Sequence, residues 1–140
     1  MDSAHLAYAA GFVDGEGSIM IVQDKRLSRE KFYRLRVSVC NTDKTVLDWF
    51  SAIFGFDGVH TRSGGFQRQP QNKPVYTLLL GDKKAAEFVS LILPYLIIKR
   101  RHAELAIKFQ ALKDYQRNTF DKETKLFLEM KKINRRGNNV

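Results

Sequence analysis

Residues 6–19 read LAYAAGFVDGEGSI. A run of small residues leads into two acids, Asp14 and Glu16, that alternate with Gly15 and Gly17. Ser3 is read as an N-cap and Ala4–Val13 as a short helix, with Gly15 and Gly17 marking its end. Ala7 and Gly11 stand four apart on one helical face, with Ala10 beside them. Small side chains at that spacing let two helix backbones approach closely. A mid-helix glycine costs about 1 kcal/mol against alanine, and close packing is the expected compensation. Glycines around an acid let backbone and substrate come near it. An acid held near phosphate in a basic protein is unfavourable unless a cation lies between them. Oxygen ligands of this kind suit magnesium, and two converging acids would make a two-metal phosphodiesterase site. D-G-E-G alone describes only a helix end followed by a turn.

Outward from this stretch the periodicity changes. SIMIVQ and FYRLRVSVCN, within 18–41, alternate as strands and are joined by the polar DKRLSREK into a long hairpin. Tyr33, Leu35, Val37 and Val39 share one face of the second strand; Arg34, Arg36, Ser38 and Cys40 share the other. Thr42 or Asp43 caps a helix, KTVLDWFSAIF, which Gly55 stops. A second hairpin pairs GVHTRS with PVYTLLL. Gly81 and Asp82 open a third helix, KKAAEFVSLIL, interrupted at Pro94. A fourth helix is expected over about 95–115. A last amphipathic one is KETKLFLEMKKIN, with RRGNNV a frayed tail. The order α-β-β-α-β-β-α-α plus a C-terminal helix predicts an α+β fold with a four-stranded antiparallel sheet, helices on one side and an open side carrying arginines.

The chain has 140 residues, 44% of them hydrophobic and 28% charged, which suits one domain with a real core rather than disorder. Its formal net charge of +9 favours a polyanionic partner, nucleic acid first. One cysteine, Cys40, excludes an intrachain disulfide framework. Three dispersed histidines exclude a Cys/His zinc site. No apolar run is long enough to span a bilayer, the start lacks the pattern of a signal peptide, and the basic residues do not segregate onto one amphipathic helix. An intracellular protein, in the cytoplasm or nucleoid of a prokaryote or in an organelle matrix, is expected, with no membrane partner.

Ala9–Gly17, AAGFVDGEG, resembles the signature of the LAGLIDADG homing endonucleases, and Leu6, Tyr8, Ser18 and Ile19 around it look typical too. The resemblance covers about residues 3–115 of a single domain spanning 1–140, with a helical extension over about 116–140. It implies an α-β-β-α-β-β-α core whose sheet forms a saddle on DNA. It also implies an intron-encoded homing endonuclease that cuts double-stranded DNA with Mg²⁺ or Mn²⁺. One signature in the chain implies a homodimer, through Ala7, Ala10, Gly11 and Asp14, on a long pseudo-palindromic site. Glu16 falls on the metal-binding acid and Gly15 on the residue whose carbonyl reaches metal. Asp14 falls on the more structural acid. Lys99 resembles the basic residue that stabilises charge or positions water, and Asp43 aligns with a polar residue near that water. Leu47 departs from the family, some members of which carry an arginine there.

The expected DNA face comprises Met20, Val22, Asp24 and Arg26, then Arg34, Arg36, Ser38 and Cys40. His60, Arg62, Val75 and Thr77 complete it across the second hairpin. Arg68, with Lys25, Arg29, Lys31 and Lys73, is a loop residue expected on phosphate. The alternative reading, from a different class, is a non-cleaving nucleic-acid-binding protein on the same fold, an intron maturase or a regulator.

Overall fold

A computed structural model describes residues 2–24, 32–57, 60–62 and 74–138. Its elements are α1 (Ser3–Glu16), β1 (Gly17–Asp24), β2 (Phe32–Asn41), α2 (Lys44–Phe54), β3 (His60–Arg62), β4 (Val75–Gly81), α3 (Asp82–Ile92), a 3-10 turn (Leu93–Tyr95), α4 (Arg100–Tyr115) and α5 (Phe120–Asn138). The strands form an antiparallel sheet in the order β1-β2-β4-β3, so β2 and β4 are central. Among the described residues no helix is long and apolar enough to cross a membrane.

The two faces of the sheet follow from strand parity. Ile19, Ile21, Tyr33, Leu35, Val37, Val39, Leu78 and Leu80 are buried against the helices. Their neighbours in sequence turn to the other face. On the helical side α1 supplies Ala9, Ala10 and Val13, α3 supplies Phe88, Val89 and Ile92, and α4 supplies Leu105 and Phe109, all buried. Around α2 the filling is aromatic: Phe12 of α1 meets Phe50 at 5.6 Å, and Phe54 meets Phe88 of α3 edge-on at 5.0 Å between ring centres.

The element ends depart from sequence expectation where tertiary contacts act. The N-cap of α1 is Asp2 rather than Ser3, its carboxylate accepting the His5 amide at 2.9 Å. The helix also runs past Val13 through Gly15 to Glu16 before Gly17 turns extended. The fourth helix begins at Arg100, not near Tyr95, because the amides just before it are drawn onto α1. The C-terminal helix is longer than expected and continues through Asn138 instead of fraying at Arg135. It is part of the core, with Leu126 and Met130 buried. Asn134 donates to the Ile19 carbonyl of β1 at 3.2 Å. By contrast α2 spans the expected residues, capped by Asp43 and closed by Gly55 in the left-handed conformation at φ 71°.

Gly17 is where α1 becomes β1, and there is no room for a side chain: a Cβ would lie 2.9 Å from the Val13 Cα and carbonyl oxygen. Around Gly15 a Cβ would meet nothing within 4 Å. Gly17→Ala is therefore expected to lose about 1–3 kcal/mol of stability through overpacking against backbone, read as a lower urea midpoint. Gly15→Ala should hold or raise that midpoint.

Candidate metal centre and nucleic-acid face

Asp14 and Glu16 lie two residues apart, so on a helix they project about 200° apart. Asp14 turns inward. Its carboxylate accepts the backbone amides of Ile97 at 2.8 Å, Ile98 at 3.2 Å and Lys99 at 2.9 Å. The Lys99 ammonium in turn donates to the Asp14 carbonyl at 2.8 Å, placing a cation at the negative end of α1. These four bonds hold residues 97–99 out of α4 and fix Lys99 one residue before it. Glu16, the last residue of α1, is exposed. The Val13 carbonyl is taken by the Gly17 amide and that of Asp14 by Lys99. The Gly15 carbonyl accepts no hydrogen bond among the described residues.

One chain thus offers an exposed carboxylate and a free carbonyl at a helix C-terminus. Both are hard oxygen donors in a field that favours cations. No group of three or more His, Cys, Asp or Glu side chains able to hold a metal occurs among the described residues. The donors fit a divalent ion as half of a site, not as a closed cage.

Beyond Glu16 opens a cleft of about 370 Å³ lined by Gly17, Ser18, Met20, Ile98, Lys99, His102, Ile133 and Asn134. His102, one turn after Lys99, is held below the ordinary histidine range by burial and then by the Lys99 charge, against a hydrogen bond with Asn134. Its Nδ1 is buried without a hydrogen-bond partner. Sequence reasoning passed over His102 as a dispersed histidine. Its i+3 spacing from Lys99 was visible, but the walls of the cleft come from β1 and α5.

Other expected residues are placed differently. Ala10, expected on the dimer face, is wholly buried in the chain's own core, as is its neighbour Ala9. The exposed small residues of α1 are Ala4, Ala7, Gly11 and Gly15, three to four apart. Asp14, also expected at that interface, spends its carboxylate on residues 97–99. Asp43 caps α2, accepting the Thr45 amide at 2.9 Å, a bond that holds its pKa below the usual 3.8. It opens on a different cleft, with Ala4, His5, Tyr8 and Trp49. That cleft adjoins the N-terminal half of α1, about two turns or more from Glu16. Leu47 is fully buried, so α2 offers a core residue where a basic one was in question.

On the open sheet face the register aligns Ser18 with Ser38 and Leu79, Met20 with Arg36 and Gly81, Val22 with Arg34, and Cys40 with Thr77. Val75 lies on the same face beyond Thr77. Two of these groups already have partners. Arg34 pairs with Asp82 at 2.6 Å, and Cys40 Sγ lies 3.4 Å from Thr77 Oγ1. His60 and Arg62 stand opposite Thr77 and Val75, and Asp24 opposite Phe32; their side chains lie outside the described residues. Arg26 and Arg68 lie wholly outside them, as do Lys25, Arg29, Lys31 and Lys73. Leu79, 48% exposed, is a member of this face that the sequence reading omitted, although its parity with Thr77 was there to be read.

No protein-family model and no curated protein matches the chain. Solved structures do. The homing endonuclease I-CvuI, in complex with its target in the presence of calcium, superposes with TM-score 0.76 at 21% identity over 93% of this chain and 82% of that one. The archaeal intron-encoded homing endonuclease I-Vdi141I, complexed with DNA, gives 0.75 at 18% over 95% and 86%. The LAGLIDADG homing endonuclease I-GzeII, in complex with its DNA target, gives 0.65 at 16%, with 89% of this chain matching 43% of that one. The fold is that of the LAGLIDADG homing endonucleases, as the resemblance of residues 9–17 implies.

His102 gives the fold a pH dependence of determinable sign. Its folded pKa lies below the ordinary 6.5, so the unfolded chain takes up the proton first as pH falls. The stabilisation is complete above about pH 6.5 and is lost below it, down to the folded pKa. Urea midpoints measured from pH 7.5 to 3 should decline below 6.5 in the wild type. In His102→Gln that decline should be flattened. Losses below 3.8, where Asp2 and Asp43 release their amide bonds, should persist in both.

Proposed function

We propose that the chain is a divalent-metal-dependent homing endonuclease that binds a long pseudo-palindromic DNA site as a homodimer and cuts both strands. The observation that carries this reading is the inequality of the two acids. Asp14 is consumed by the amides of residues 97–99, while Glu16 is left exposed at the same helix end beside a free carbonyl. A clamp on one acid that leaves the other exposed, in a chain of net charge +9, suits a cation placed between protein and phosphate.

Each chain supplies one such acid, so two chains supply the pair a double-strand cut needs. The stripe Ala4, Ala7, Gly11 and Gly15 is the surface proposed to meet its copy, without Ala10. That this chain matches 43% of I-GzeII but 82% of I-CvuI fits one copy of a fold that other chains carry in greater length. Glu16 and the Gly15 carbonyl would hold Mg²⁺ or Mn²⁺. Such an ion, when bound, supplies Lewis-acid stabilisation of the entering and leaving oxygens. Lys99, fixed by its bond to the Asp14 carbonyl, holds positive charge at the edge of the cleft, where it offsets phosphate charge. His102, kept neutral, lines the same cleft. Asp43 is retained as a candidate only if the partner chain brings it near a second Glu16, because its own chain does not. The sheet face, from Met20 and Val22 across Arg36 and Ser38 to Val75 and Thr77, is proposed to lie in the major groove.

With Mg²⁺, wild-type protein should cut a duplex carrying its target, and with Ca²⁺ bind without cutting. Glu16→Gln should lower the cleavage rate by at least about a hundredfold while binding persists. Specific binding with no cleavage in either Mg²⁺ or Mn²⁺ would establish the maturase or regulator reading instead. In sedimentation the free protein should run at twice 16.2 kDa. Gly11→Leu, whose position has no neighbour within 4 Å in the chain, should run as a folded monomer.

A further inference from the structure

Leu79 is a large apolar side chain on the open face of a central strand, and it is 48% exposed. It stands at the middle of β4, opposite Ser38, which is opposite Ser18. Among the described residues β3 pairs with β4 as far as Thr77, two residues before Leu79. With the two short serines beside it on β2 and β1, the leucine rises above that side of its surroundings. Folding leaves it wet, although burying such a side chain is favourable.

Arg36 is its diagonal neighbour. It lies opposite Gly81, two residues on from Leu79, so no side chain of β4 covers it. On its other side is Met20. Its stem is thus flanked by Met20 and Leu79, an apolar setting in which a guanidinium stands away from the sheet. It has no hydrogen bond or ion pair among the described residues, whereas Arg34 is held by Asp82 and the Cys40 and Thr77 side chains face each other.

Resting on the DNA-binding reading above, we infer that Arg36 and Leu79 are the specificity-determining pair of the central sheet. Arg36 takes the O6 and N7 acceptors of a guanine, and Leu79 packs on the 5-methyl group of a nearby thymine. These are the major-groove features that match a guanidinium and an isobutyl group. Diagonal neighbours on a sheet face are about 7 Å apart and successive bases about 3.4 Å. The guanine and thymine therefore lie one or two base pairs apart in each half-site. The four groups Ser18, Ser38, Cys40 and Thr77 are short or already engaged and contribute little discrimination there.

The test uses duplexes selected by the full-length wild-type protein from a randomised pool in Ca²⁺. Each thymine is then replaced singly by deoxyuridine, which lacks only the methyl group, and each guanine by 7-deazaguanine, which lacks only the N7 acceptor. Wild-type affinity should fall about fourfold at one deoxyuridine and about tenfold or more at one 7-deazaguanine, at positions within two base pairs. Leu79→Ala should lose the first sensitivity and keep the second; Arg36→Gln should do the reverse. Both positions are on the open face, and unchanged urea midpoints will show that the variants fold. Undiminished deoxyuridine sensitivity in Leu79→Ala, or sensitive positions more than three base pairs apart, overturns the pairing while leaving DNA binding intact. Failure of the wild type to enrich any duplex overturns the DNA-binding reading, and this inference with it.

Discussion

The bonds between Asp14 and residues 97–99 organise the functional half of the molecule. Three backbone amides converge on one carboxylate, and a lysine ammonium returns a bond to the carbonyl of the same residue. Charge-assisted bonds of this kind contribute about 1.5–3 kcal/mol each. They join the end of α1 to the start of α4, which are 83 residues apart for the first of these pairs. Lys99, His102 and the cleft beside Glu16 all take their positions from that junction. So do Ile97 and Ile98, whose amides bond Asp14 while their side chains stay 86% and 70% exposed.

The same junction explains why the acids differ in role. A carboxylate accepting three amide bonds is largely engaged, and it ties the end of α1 to the start of α4. A carboxylate two residues on must point elsewhere, and at the final helical residue it points outward. The negative helix end, a free Gly15 carbonyl and Glu16 then share one small region. This geometry needs Gly17, where Val13 backbone fills the space a Cβ would take. Small residues in and beside the signature thus answer to two demands: Gly17 to the fold of one chain, Ala7 and Gly11 to an open face of it.

Much of this was legible before any coordinates. Period-two alternation assigned the residues from Tyr33 to Cys40 to their correct faces of β2, because a sheet with one buried side leaves no other register. Asp43 and Gly55 bracketed α2 because capping and left-handed termination are local chemistry. What was missed depends on contacts distant in sequence. The start of α4 moved because an acid 85 residues earlier captured the Lys99 amide. Ala10 was assigned to the outer face of α1, but small residues fit a helix's inner face as well as its outer one, and only packing distinguishes them. His102 became a site residue through walls supplied by β1 and α5. Leu79 was passed over because the apolar run LLL gave no hint that its middle member faces solvent; β4 parity does.

The most direct measurement of the central claim is amide hydrogen exchange at residues 97–99, compared between wild type, Asp14→Asn and Glu16→Gln. If Asp14 is the clamp and Glu16 the free acid, the amides of Ile97, Ile98 and Lys99 are protected in the wild type. They lose that protection selectively in Asp14→Asn and keep it in Glu16→Gln. Protection that survives in Asp14→Asn, or that disappears in Glu16→Gln, would contradict the division of labour between the two acids.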